Sequence, residues 1–181
     1  MLPKALPIPV DDRSADHLTG LHMPSFSLSA TGGESVRLDR MGSGFTILYG
    51  YPMTGIPGIA LPDGWDSIPG ARGCTPQACG FRDHFSEILA RGATVYGIST
   101  QSTAYQEEMV ERLHLPLPVL SDSEFALTDA LRLPTMQVHG VRLLKRITLF
   151  VNDSEIKHCI YPVFPPDKSA EEALGWLRSQ T

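Results

Sequence analysis

Two cysteines, Cys74 and Cys79, stand five residues apart in the stretch Gly73-Cys74-Thr75-Pro76-Gln77-Ala78-Cys79-Gly80-Phe81-Arg82-Asp83-His84. A thiolate attacks electrophiles, and a second thiol nearby can close a disulfide on it, so the pair raises redox chemistry. Ala78, Phe81, Phe85, Ile88 and Leu89 recur at helical spacing, and Pro76 suits a first turn. Gly92 follows as a stop. The pattern predicts a helix with Cys74 at its N-terminus, where the dipole favours the thiolate. In an intact helix, residues five apart have Cα atoms about 8–9 Å apart, whereas a disulfide rarely spans more than about 7 Å. A bond between the two sulfurs would therefore require the first turn to unwind. Spacing alone leaves open two unrelated, half-buried thiols.

The elements that must position these sulfurs belong to a chain of 181 residues, enough for one domain with a core of its own. The apolar share of 42% and charged share of 19% are those of a soluble globular protein. Net charge is −5 with no basic block, which argues against a nucleic-acid partner. No apolar run reaches the eighteen or so residues of a membrane span. The start, Met1-Leu2-Pro3-Lys4-Ala5-Leu6-Pro7, has no charged segment followed by an apolar one and reads as no signal peptide. Three cysteines are too few for a disulfide framework and suggest a reducing, cytoplasmic setting.

Residues 1–23 are rich in Pro and Asp and read as an N-terminal arm lying on the domain or partly disordered, with the domain proper over 24–181. Phe26, Leu28 and Ala30 alternate with serines, and Val36 and Leu38 resume the alternation after a Gly-Gly turn, which predicts an N-terminal hairpin. Phe45–Tyr51 is nearly all apolar and suits a central strand. Residues 53–72 are too rich in Pro and Gly for a long regular element, and so long a loop is more often functional than idle. Trp65 and Ile68 are candidates to pin it; the alternative is a packed surface loop with no chemistry. Then come a strand at Val95–Ile98 and a helix capped at Thr103 carrying Tyr105, Met109 and Leu113. Val119-Leu120 is a further strand, and Ser121-Asp122-Ser123-Glu124 opens a helix with Phe125, Ala126 and Leu131. Ile147–Val151 and Ile156–Tyr161 form a hairpin around Asn152-Asp153-Ser154, and Ser169 with Glu172 caps a last helix. Parallel βαβ units plus an antiparallel hairpin predict an α/β, thioredoxin-like fold: a central mixed sheet flanked by helices, extended by the N-terminal hairpin and arm.

The chain resembles the peroxiredoxins, of the peroxiredoxin Q or bacterioferritin comigratory protein type. The matching stretches are Tyr51-Pro52, Gly73-Cys74-Thr75, Ala78-Cys79-Gly80-Phe81-Arg82-Asp83, Gly97-Ile98-Ser99-Thr100, Leu120-Ser121-Asp122 and Arg146–Val151, collinear over about residues 24–178. The resemblance implies a thioredoxin-dependent peroxidase that reduces hydrogen peroxide and organic hydroperoxides and uses no cofactor. It makes Cys74 the peroxidatic cysteine, Cys79 the resolving cysteine of an intrachain disulfide, and Arg146 the arginine holding thiolate and peroxide. Thioredoxin or a similar dithiol would be the reductant, and the protein a monomer or homodimer. The family motif has a proline, three residues, a threonine and two residues before its cysteine. Here Ala71 and Ser67 stand at the threonine and proline positions, and Pro52 lies 22 residues before Cys74. The 53–72 loop thus reads as an insertion inside the motif. Thr54 becomes the candidate hydroxyl, with Thr75 behind it.

Reducing a peroxide requires a thiolate aimed along the O–O bond and donors for the leaving oxygen. A guanidinium can serve both, and backbone N–H groups around Thr75 can add to it. Attack leaves a sulfenic acid, with which Cys79 can condense. Arg142 is the fallback for Arg146. Arg72 either tunes Cys74 or is simply solvated, and Cys159, in the alternation Ile156, His158, Ile160, reads as a structural thiol. The spacing of Cys74, Cys79 and His84 is not that of a zinc site. His17 and His22, with Asp16, read as polar residues on the outside of the arm. A second reading is a redox sensor or disulfide relay with little peroxidase turnover. A third, a disulfide oxidoreductase, is disfavoured because that chemistry uses two residues between its cysteines.

Overall fold

β3 (Thr46–Gly50) is buried along its whole length and lies inside a seven-stranded sheet. The computed structural model describes residues 6–180, so the chain's start as far as residue 5, with its part of the leader and arm expectations, lies outside the described residues. The sheet runs β2 (Ser35–Arg37), β1 (Ser27–Ala30), β5 (Val119–Ser121), β4 (Thr94–Ser99), β3, β8 (Ile147–Asn152), β9 (Glu155–Ile160). β3–β4 and β4–β5 pair in parallel and the other neighbours antiparallel, so the sheet is mixed.

Strand alternation sorts the core onto two faces. Ile47, Tyr49 and Phe150 pack under α1 (Cys74–Asp83), α2 (Phe85–Ala90), α3 (Thr103–Leu113) and α5 (Ser169–Arg178). Leu48, Ile98, Leu120 and Leu149 face α4 (Ala126–Leu131) and the N-terminal segment, which buries Ala15, Leu18 and Met23 there. The segment also bonds to the β9 edge, Gly20 N–H donating to the Ile156 carbonyl and Ile156 N–H to that of Leu21.

Local chemistry moves several boundaries. The single helix expected from Cys74 to Gly92 is two, broken at His84, whose N–H closes on the Gly80 carbonyl. α3 is capped by Ser102, whose Oγ accepts from Tyr105 N–H, not by Thr103. Ser169 is the first residue of α5, and its hydroxyl accepts from Gln77 Nε2 instead of capping. Phe125 precedes α4 in the left-handed region, while the Asp122 carboxylate accepts from Leu127 N–H and Thr128 N–H.

A second, two-stranded sheet was not anticipated: β6 (Thr135–Val138) and β7 (Val141–Leu144) pair around His139 and Gly140, both at positive φ. That is the backbone of a tight two-residue turn, written with His-Gly where Asn-Gly or Asp-Gly is the usual signal. The hairpin gives the 53–72 loop something to pack on. Trp65, in a single 3₁₀ turn, is buried with Ala71, Val138 and Leu143, with Met53, Leu61, Ile68 and Met136 around them.

Candidate active site

β3 ends at Gly50, which pairs with Ile147, the first residue of β8. The antiparallel register therefore brings Arg146 to the end of the sheet from which the chain leaves for Cys74. A side chain at Gly50 would meet Leu144 Cδ2 at 2.8 Å and Ile147 Cγ2 at 2.9 Å, so glycine permits that approach. Cys74 opens α1 after Gly73, which takes a φ of 108° that disfavours residues with a Cβ. Gln77 N–H donates to the Gly73 carbonyl and closes the first turn.

Arg146 is buried. Its Nη2 lies 3.3 Å from Cys74 Sγ and donates to the carbonyls of Gly70 (3.2 Å), Ala71 (3.4 Å) and Arg72 (3.2 Å). Its Nη1 donates to Gln77 Oε1. Among the described residues no carboxylate pairs with this guanidinium. A buried charge with neutral partners only is expensive, and the group best placed to supply a counter-charge is the Cys74 sulfur as thiolate. As a thiol, the sulfur can donate to the Ala71 carbonyl at 3.6 Å.

Cys74 and Thr54 line one cavity of about 270 Å³ at the mouth of α1. Thr54 is buried, its Oγ1 donating to Gln101 Oε1 at 3.3 Å and its carbonyl accepting from Tyr105 OH at 2.9 Å. The loop folds back far enough for Thr54 to line the cysteine cavity, and Thr75 lines the same space. Pro52 is buried at the foot of the loop and does not line it. Arg72 lines it but holds Asp66 Oδ1 with Nη1 at 2.7 Å; its contact with Arg146 is through its backbone carbonyl.

All three cysteines are free thiols. Cys79 is half-buried one and a half turns into an intact α1, so the spacing argument against a disulfide in the folded helix stands. Cys159 packs with the core cluster on the opposite face of the sheet from Cys74, and burial pushes its thiol up to about 12. Arg142 is remote in function as well: Nη1 pairs with Asp129 at 2.7 Å and the guanidinium sits 4.8 Å over the Phe125 ring. Sequence reasoning missed Gln77, Gln101 and Tyr105. Gln77 stands three residues after Cys74, hence on the same helix face, and that spacing was its one available signal.

A family model described as Redoxin matches residues 18–174. Peroxiredoxin Q, chloroplastic, of Triticum aestivum is 32% identical over 157 residues, 86% of this chain and 64% of that protein. Its counterpart in Populus jackii is 29% identical over 157 residues, covering 86% and 66%. The chain thus spans just under two thirds of these plant relatives. Among solved structures, Peroxidoxin BcpB from Mycobacterium tuberculosis is 27% identical, with a TM-score of 0.73 over 91% of this chain and 99% of that one. The shared architecture is the thioredoxin-like fold of the peroxiredoxins.

Proposed function

The chain belongs to the Redoxin family, and from that premise we propose that it is a thiol-dependent peroxidase. The observation that carries the reading is the buried Arg146 guanidinium 3.3 Å from Cys74 Sγ with no carboxylate partner among the described residues. The Cys74 thiolate attacks the terminal oxygen of a hydroperoxide, and the O–O bond breaks. The leaving oxygen takes a proton and departs as water or an alcohol. Arg146 and the first-turn N–H groups hold the developing charge. The sulfur, oxidised by two electrons, becomes a sulfenic acid. Cys79 then condenses with it once the first turn of α1 opens, releasing water, and an external dithiol, thioredoxin in this reading, reduces the disulfide. Thr54 supplies the hydroxyl that orients the peroxide, and the three free thiols suit a reducing, cytoplasmic setting.

The test is a reduced protein mixed with one equivalent of hydrogen peroxide. Thiol loss within seconds, abolished by Cys74→Ser, supports the reading; no loss, or full turnover by Cys74→Ser, defeats it. One observation favours the sensor or relay reading instead: Cys79 is held within a complete helix, so resolution waits on opening. Sustained turnover with thioredoxin and excess peroxide excludes a mere sensor.

A further inference from the structure

We propose that the N-terminal segment positions Arg146 for its contact with Cys74, with Asp12 as the positioning residue that acts through Lys145. The inference rests on the peroxidase reading above and adds to it a residue outside the site.

Arg146 stands outside both sheets. It and Lys145 are the two residues between β7 and β8, and those strands belong to different sheets. The link that carries the arginine is therefore not a rung of either ladder. Lys145 N–H donates instead to the Pro134 carbonyl at 2.8 Å.

The N-terminal segment holds this link through side chains. Lys145 Nζ donates to Asp12 Oδ2 at 2.6 Å, and Tyr161 OH, just past β9, donates to Asp12 Oδ1 at 2.9 Å. Thr148 pairs with Ile160, so Tyr161 follows at the end of the sheet where β8 begins. Ser14 adds its N–H, at 3.1 Å, and its hydroxyl to the same Oδ1. One carboxylate thus ties the segment, the link and the end of β9 together. Lys145 above all holds the Asp12 carboxyl well below the usual carboxylate range, so the clamp stays charged at neutral pH.

The same segment meets the other end of the arginine. Pro9 lies over Gly70, where an added Cβ would stand 3.6 Å from Pro9 Cβ. The Gly70 carbonyl accepts from Arg146 Nη2 at 3.2 Å. Pro9, Asp12, Gly70, Lys145 and Arg146 line one cavity of about 350 Å³, so the segment reaches the arginine's surroundings at separate points without filling the space between. Its own footing is firm. Leu18 and Met23 are buried in the core, and Gly20 N–H donates to the Ile156 carbonyl. The Asp12–Lys145 pair is partly exposed, and such pairs add little to stability. A small displacement of a positioned group, by contrast, costs rate steeply. Asp12 should therefore govern rate and leave folding intact.

The experiment is stopped-flow oxidation of Cys74 in the reduced full chain by one equivalent of hydrogen peroxide. Asp12→Ala and Lys145→Met should each slow it about fivefold. The second variant breaks the clamp from the domain side and leaves the N-terminal segment unaltered. Asp12→Glu keeps the carboxylate and should recover to within about twofold of the native rate. Asp16→Ala removes an ion pair with Arg13 inside the same segment and should leave the rate unchanged. Native rates in both Asp12→Ala and Lys145→Met, with native circular dichroism, overturn the proposal. So does failure of Asp12→Glu to recover, or an Asp16→Ala as slow as Asp12→Ala. Each of these leaves the peroxidase reading standing, whereas a native chain that peroxide does not oxidise overturns the two together.

Discussion

Arg146 Nη2 lies 3.3 Å from Cys74 Sγ across a separation of 72 residues. The contact exists because Gly50 and Ile147 are paired in the sheet, one leading out toward the sulfur and the other following the arginine. The same guanidinium holds three carbonyls of the segment before Cys74, so it organises the cysteine's approach as well as its charge. Lysine keeps the charge but cannot serve several acceptors in one plane. We expect Arg146→Lys and Arg146→Ala both to lower kcat/KM for peroxide about a hundredfold, the scale of one lost donor to a developing oxyanion. Arg142→Ala, remote from the site, should stay within twofold. Stopped-flow peroxide consumption checks both.

Gln77 is fully buried and bridges two partners, its Oε1 accepting from Arg146 and its Nε2 donating to Ser169 Oγ at 3.2 Å. Gln77→Leu strands a buried guanidinium N–H. It should destabilise the protein by about 2 kcal/mol and slow sulfenic acid formation, while Ser169→Ala costs about 1 kcal/mol. Urea unfolding and single-turnover kinetics separate the two effects.

Thr54 lines the cysteine cavity, and Gln101 Oε1 accepts from both its N–H and its hydroxyl. Thr54→Val should lower kcat/KM for every hydroperoxide about tenfold or more, and Thr54→Ser should restore most of it. Equal activity in Thr54→Val would remove the hydroxyl from the chemistry.

The two remaining cysteines should part company. Cys79→Ser is expected to leave a sulfenic acid that a dimedone probe captures, whereas Cys159→Ser resolves normally. Burial raises the Cys159 thiol to about 12. At pH 8 its thiolate fraction is then about 10⁻⁴, and alkylation by iodoacetamide should stay slow until well above pH 10. Mass spectrometry of labelled peptides reads both outcomes.

His158 stacks on Trp176, ring centroids 5.0 Å apart and planes 1° apart, and burial lowers its pKa. The unfolded chain takes up a proton near pH 6.5, before the folded one does. Stability should therefore fall as pH drops through about 6.5 and level off below the folded value. His158→Phe should flatten that slope in melting curves recorded from pH 8 to pH 5.

Much was legible in the chain itself. The cysteine at a helix mouth, the apolar central strand at Phe45–Tyr51, the β8–β9 hairpin and the Pro- and Gly-rich loop all follow from short-range patterns. Other features were not. Ser102 took the cap that Thr103 was assigned: its Oγ accepts from Tyr105 N–H, where a cap at Thr103 would have taken Gln106 N–H. The helix after Cys74 broke at His84 with no glycine or proline to announce it. The β6–β7 hairpin hid behind His139-Gly140, where histidine takes a positive φ that its type rarely signals.

What the sequence determined alone is the chemistry on offer: a thiol where a helix begins, and a second thiol too distant along that helix to bond without unwinding. Those are consequences of a 3.6-residue period and of side-chain chemistry, which act over a few residues. Tertiary structure decided which groups meet the sulfur. It chose Arg146 over Arg142, turned the Arg72 side chain to Asp66 while using its carbonyl, and folded residues 53–72 back so that Thr54 shares a cavity with Cys74. These choices rest on strand register and on a Trp65 cluster built from three separate segments. Packing between residues so far apart in the chain leaves no local pattern to read.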